Sequence, residues 1–178
     1  MRLGNVWLRA MATLAVLTIG SVTMASAQEK QGFFFGVGLG YGSLGCDGCD
    51  SQGGVSGHLR LGGKLNQRLL LGVESTGWYK SEDGASLNTG TLTGNVYVYP
   101  SETAGFFAKG GVGLGYAGAS VDGFGSDSET GFGWQVGAGY DIRVGTKTAI
   151  TPTVTYFSSS IEGGSLNVIQ LALAFSLY

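Results

Sequence analysis

The chain has 178 residues, 43% hydrophobic and only 12% charged, with a formal net charge of −2 at pH 7. That balance excludes a disordered tail, and with no basic patch it disfavours nucleic acid as a partner. Its 34 glycines, against 2 prolines and no three-residue period, exclude collagen and Pro-rich disorder as well.

Arg2 and Arg9 precede a short apolar run from Met11 to Ile19, followed by Ala25-Ser26-Ala27. These are the basic, hydrophobic and small-residue parts of a secretory signal peptide, too short for a spanning helix. Residues 1–27 are therefore expected to be cleaved, leaving 28–178 as one domain. No Cys follows the cleavage site, so a lipoprotein anchor is not expected. Beyond residue 27 no apolar run reaches the ~18 residues a spanning helix needs. An exported chain of apolar strands can still cross a membrane if the strands close into a barrel, because closure satisfies every backbone N–H and C=O.

Alternation of period two predicts eight strands. The first, 32–44, carries Gly36-Val37-Gly38-Leu39-Gly40-Tyr41-Gly42, apolar on one face and bare on the other. Glycine on the second face suits a crowded, curved interior rather than a solvated one. The second strand, 54–65, turns Val55, Leu59 and Leu61 outward and Ser56, His58, Arg60 and Lys64 inward. The third, 69–79, places Glu74, Thr76 and Trp78 inside. The fourth, 87–99, sets Leu92, Val96 and Val98 outward against Thr91, Thr93, Asn95, Tyr97 and Tyr99. The fifth, 105–117, repeats the glycine motif as Gly111-Val112-Gly113-Leu114-Gly115-Tyr116, with Phe107 and Lys109 inward. The sixth, 130–144, faces Gln135, Asp141 and Arg143 inward. The seventh, 148–157, faces Thr151, Thr153 and Thr155 inward, and its outward Pro152 forgoes a ladder hydrogen bond. The eighth runs from 164 to 178.

Connections at 66–68, 100–104 and 145–147 read as short, and those at 45–53, 80–86, 118–129 and 158–163 as longer. Short periplasmic turns and longer outer loops characterise outer-membrane barrels, so the second set is expected outside the cell. It carries Asp47, Asp50, Glu82, Asp83, Asp122, Asp127, Glu129 and Glu162, and predicts an acidic rim. The expected fold is all-β, an eight-stranded antiparallel up-and-down transmembrane β-barrel.

Cys46-Asp47-Gly48-Cys49 is a C-x-x-C motif in the first outer loop. In an exported chain a loop-tip disulfide is expected, rather than a redox thiol or a zinc site, for which His58 lies too far inside. Gly36 to Gly40 echoes a dinucleotide fingerprint, but no helix follows it. The acids from Asp122 to Glu129 lack the spacing of a calcium loop. Ser56, His58 and Glu74 face inward together and invite a hydrolase reading, whose counterpart is plain lumen filling. No cofactor or metal is expected. A three-residue turn pairing Leu65 with Leu69 sets Arg60 opposite Glu74, and the same logic brings Lys109 near Asp141. Two lumenal ion pairs are thus expected, since charge in a narrow lumen is costly unless paired.

With this signal peptide, these paired strands and the terminal run Leu171, Leu173, Phe175, Leu177 and Tyr178, the chain resembles the small outer-membrane β-barrels of the OmpA/OmpX type, often labelled porin-like, over residues 28–178. The resemblance implies that outer-membrane lipid and lipopolysaccharide surround the chain. It also implies that the barrel assembly machinery recognises the aromatic-ended last strand, and that the protein is a monomer. The family includes non-catalytic members, adhering members and lipid-modifying enzymes. The reading favoured here is a non-enzymatic barrel with a filled lumen and a structural or surface-interacting role through its acidic outer loops, with a small passive pore first and a lipid-modifying outer-membrane enzyme second as the alternatives. Tyr178 falls on the opposite parity from Leu171, Leu173, Phe175 and Leu177, which leaves the register of that strand open.

Overall fold

A computed structural model describes residues 32–46, 51–82, 84–101, 105–121, 125–161 and 164–178. The expected signal peptide, 1–27, lies outside them. The strands are β1 (Phe33–Cys46), β2 (Gln52–Lys64), β3 (Leu69–Glu82), β4 (Ala85–Val98), β5 (Phe106–Val121), β6 (Gly125–Tyr140), β7 (Ile142–Arg143), β8 (Thr148–Ile161) and β9 (Gly164–Leu177). Each pairs antiparallel with its neighbours, β1 with β9 and β6 with β8, so no edge is left free. β7 prolongs β6 on the same register, and the nine segments make eight staves of a closed barrel. The interruption has a cause. With Gly139 facing Thr153 and Ile142 facing Ile150, Tyr140 and Asp141 are left without ladder partners on the β8 side, opposite Pro152 and Thr151 respectively, and proline has no N–H to give the ladder.

The faces follow the predicted parity. Val37, Leu39 and Tyr41, Leu59 and Leu61, Val96 and Val98, Val112 and Leu114, and Leu171, Leu173, Phe175 and Leu177 all stand exposed on the outside. Arg60 faces Glu74 and Lys64 faces Leu70, while the Leu65 N–H donates to the Leu69 carbonyl at 2.9 Å, as the three-residue turn requires.

The strand ends differ from expectation. β3 and β4 pair out to Glu82 and Ala85, and Gly84 between them has φ of 77°, the left-handed conformation that glycine adopts in tight turns. β5 and β6 pair out to Val121 and Gly125, and β8 and β9 to Ile161 and Gly164. The expected loops 80–86, 118–129 and 158–163 are therefore mostly hairpin arms. Their Ser, Asn and Asp content reads as loop by composition, yet the backbone finds ladder partners out to those residues.

Inside, two apolar clusters cap a polar middle. Phe34, Leu70, Tyr97, Tyr99 and Phe107, with Tyr178 packed against them, close the end that holds both strand termini. Leu44, Trp78, Phe157 and Val168, with Leu87 and Leu166, close the other. The glycine face of β1 is what lets the walls meet: a Cβ at Gly40 would collide with the Leu171 carbonyl oxygen, and one at Gly42 would press on Trp78.

Candidate functional site: the lumen and its mouths

Glu74 is the hub of the polar middle. It is fully buried on β3 and takes an ion pair from Lys109 of β5, a hydrogen bond from Tyr97 Oη at 2.6 Å and one from Thr76 Oγ1 at 3.2 Å. Three donors on one carboxylate are the compensation a buried charge needs. The network runs on: the single Thr76 hydroxyl proton is shared between Glu74 and Gln135 Oε1, 3.0 Å away, and the Gln135 amide donates to Thr93 Oγ1 at 2.8 Å and to Asn95 Oδ1 at 3.0 Å.

Asp141 is the second hub, at the break between β6 and β7. It accepts from Thr151 Oγ1 at 2.7 Å, from Tyr99 Oη at 2.8 Å and from Tyr178 Oη at 2.5 Å. Arg60 reaches it at 3.8 Å through Nη2, which also donates to Ser176 Oγ at 2.7 Å. Because Thr151 donates its hydroxyl proton to Asp141, Ser176 must donate to Thr151 across 3.0 Å, so the contact runs Arg60 to Ser176 to Thr151 to Asp141. The guanidinium lies 5.8 Å from the Tyr97 ring centroid and 5.2 Å from that of Phe107.

All four charged residues expected in the lumen are there, but the partners are exchanged. Glu74 holds Lys109, and Arg60 holds Asp141. Register aligns backbones on adjacent strands, whereas long inward side chains cross the axis of a narrow barrel and meet groups on more distant staves. Sequence reasoning missed Phe34, Ser176 and the lumenal role of Tyr178. The off-parity position of Tyr178 was the available signal: its ring turns inward, stacking on Phe34 at 6.3 Å.

The middle beyond Glu74 is different. Ser56 Oγ, both His58 ring nitrogens, Thr91 Oγ1, Thr155 Oγ1 and the Gln170 amide make no hydrogen bond within the protein. Ser56 and His58 therefore do not form a nucleophile–base pair, and Glu74 is committed to Lys109, Tyr97 and Thr76, so the hydrolase geometry is not assembled. Trp78 donates its indole N–H to the Gly42 carbonyl at 3.0 Å and seals this half. Cys46 ends β1, while Cys49 lies outside the described residues, as do Asp47, Asp50, Asp83, Asp122 and Glu162. Glu82, Asp127 and Glu129 of the same rim are exposed. At the opposite mouth a cavity of about 170 Å³ is lined by Lys64, Arg143, Lys147, Tyr99, Asp141 and Tyr178 among others.

This architecture is shared. Neisserial surface protein A has a crystal structure similar to this one, with a TM-score of 0.64 at 15% identity over 84% of this chain and 99% of that one. Ail, the attachment invasion locus protein of Yersinia pestis, gives 0.58 at 14% identity over 83% and 100%. A second Ail structure, in complex with the heparin analogue sucrose octasulfate, gives 0.56 at 15% identity over 82% and 99%. No curated protein matches the sequence. The family model for the outer membrane protein beta-barrel domain matches residues 12–177. A closed, outward-apolar barrel whose sequence fits that model over nearly its whole length belongs to the outer membrane protein beta-barrel domain family and resides in the outer membrane.

Proposed function

We propose that the chain is a non-enzymatic outer-membrane barrel that conducts nothing appreciable and acts through its acidic rim, as a structural or surface-interacting protein. The observation that carries this reading is the double closure of the lumen. Aromatic caps at both ends enclose a middle in which Glu74, Lys109, Arg60 and Asp141 are buried and mutually paired. A filled lumen leaves the two mouths and the lipid-facing wall as the surfaces available to partners.

The rim bearing Glu82, Asp127 and Glu129 faces outward from the cell in this reading, because β3–β4, β5–β6 and β8–β9 run on as long hairpin arms at that end, and the longer connections of an outer-membrane barrel are extracellular. Ail has been captured with a polyanion; exposed acids here favour a cationic partner instead. The Cys46–Cys49 disulfide belongs to the same proposal, as a staple of the first outer connection. The test is paired. Purified protein in planar bilayers should give no single-channel steps, and a deletion strain should lose surface binding while its lipid A carries the same acyl chains as that of the strain expressing the protein. Steady conductance would instead establish the passive pore, and acyl-chain changes that depend on the protein would establish a lipid-modifying enzyme.

A further inference from the structure

The mouth opposite the acidic rim is basic. Lys64, Arg143 and Lys147 line one cavity, and a second basin of about 290 Å³ shares Lys64, Gln67 and Arg143 and adds Asn66. Among the described residues none of these three cations forms an ion pair. Among the described residues the side-chain acid lining this mouth, Asp141, is already occupied by Thr151, Tyr99, Tyr178 and Arg60. Like charges gathered around one concavity repel, and an incoming anion relieves that repulsion. Amide and hydroxyl donors from Asn66, Gln67, Thr146 and Thr148 stand in the same basins.

What the anion is attached to follows from the neighbours. Leu65, Ile142 and Val144 are large apolar residues, 52%, 49% and 55% exposed on the outer wall, and each adjoins one of the cations or lies between two of them in sequence. An anionic group seated among Lys64, Arg143 and Lys147 would thus have apolar wall directly beside it. That is the geometry of a lipid whose headgroup enters the basin and whose acyl chains lie along the barrel.

We propose that this basic mouth binds the phosphodiester headgroup of an anionic glycerophospholipid, with Lys64, Arg143 and Lys147 holding the phosphate and Leu65, Ile142 and Val144 the adjoining chains. The site stands on the barrel's place in the membrane and is independent of the role proposed for the rim; only its assignment to the periplasmic leaflet rests on the orientation given above. The test is native mass spectrometry of the full chain, released from detergent micelles doped with phosphatidylglycerol or phosphatidylethanolamine. Wild-type protein should retain phosphatidylglycerol on the order of tenfold more strongly. At about fivefold per charge near a membrane surface, Lys147→Gln should lose about fivefold and the double variant Lys64→Gln, Arg143→Gln on the order of 25-fold. Lys80→Gln, a cation of the opposite rim, should leave retention unchanged. Equal retention of the two lipids, or an equal loss in Lys80→Gln, would overturn the proposal. So would full displacement of phosphatidylglycerol by millimolar inorganic phosphate, which would mean a simple anion pocket with no part for the acyl chains.

Discussion

The two halves of the lumen are filled by different physics. Around Glu74 and Asp141 almost every polar atom is engaged, and two carboxylates organise five hydroxyls, a lysine and an arginine. Around His58 the side chains are polar too, yet Ser56, Thr91, Thr155 and Gln170 reach no protein partner, and the half is closed by the bulk of Trp78 and Phe157. One half is thus specified by directional bonds and the other by volume. Polar substitutions should discriminate between them sharply, and a variant series can be ordered by that rule.

The largest effect is expected at the hub of the bonded half. Glu74→Ala leaves Lys109 buried without its partner and should cost about 3 to 5 kcal/mol in urea unfolding from lipid vesicles. Trp78→Ala tests the volume half, where loss of the ring that caps the lumen should cost about 3 to 5 kcal/mol; a cost well below Glu74→Ala's would show that this half collapses easily. Gly40→Ala should cost about 1 to 3 kcal/mol, because its methyl meets backbone rather than a movable side chain. Gly63→Ala is the control, since nothing lies within 4 Å of its Cβ position. Tyr178→Phe removes one of the donors to Asp141 and should cost about 1.5 to 3 kcal/mol, as for a hydrogen bond to a charged group. The smallest change belongs to Ser56→Ala, which removes a hydroxyl that bonds to nothing and should stay within about 0.5 kcal/mol of wild type. A large loss there would erase the distinction between the halves.

Most of this barrel was legible in the alternation. Period two assigned Ser56, His58, Arg60, Glu74, Trp78 and Lys109 to the inside because a strand gives a side chain only two directions. Strand ends were not legible. Ser86, Asn88, Ser120 and Ser128 are polar, and composition alone cannot separate a loop from the arm of a hairpin that rises clear of the hydrocarbon. The charged residues were identified but their partners were not. Register is a relation between neighbouring backbones, whereas the Arg60–Asp141 and Glu74–Lys109 pairs depend on side-chain length across a closed lumen. The lumenal position of Tyr178 was implicit in its parity, and only a closed barrel shows why a terminal ring should turn toward Asp141.

The exchanged pairing is the central claim, and a double-mutant cycle tests it most directly. Glu74→Ala is combined with Lys109→Ala in one cycle and with Arg60→Ala in another, all measured by urea unfolding in the same vesicles. A coupling of about 2 kcal/mol or more is expected for Glu74 with Lys109, and a clearly smaller one for Glu74 with Arg60. Additive losses for Glu74 and Lys109, with the coupling residing instead in Glu74 and Arg60, would contradict it.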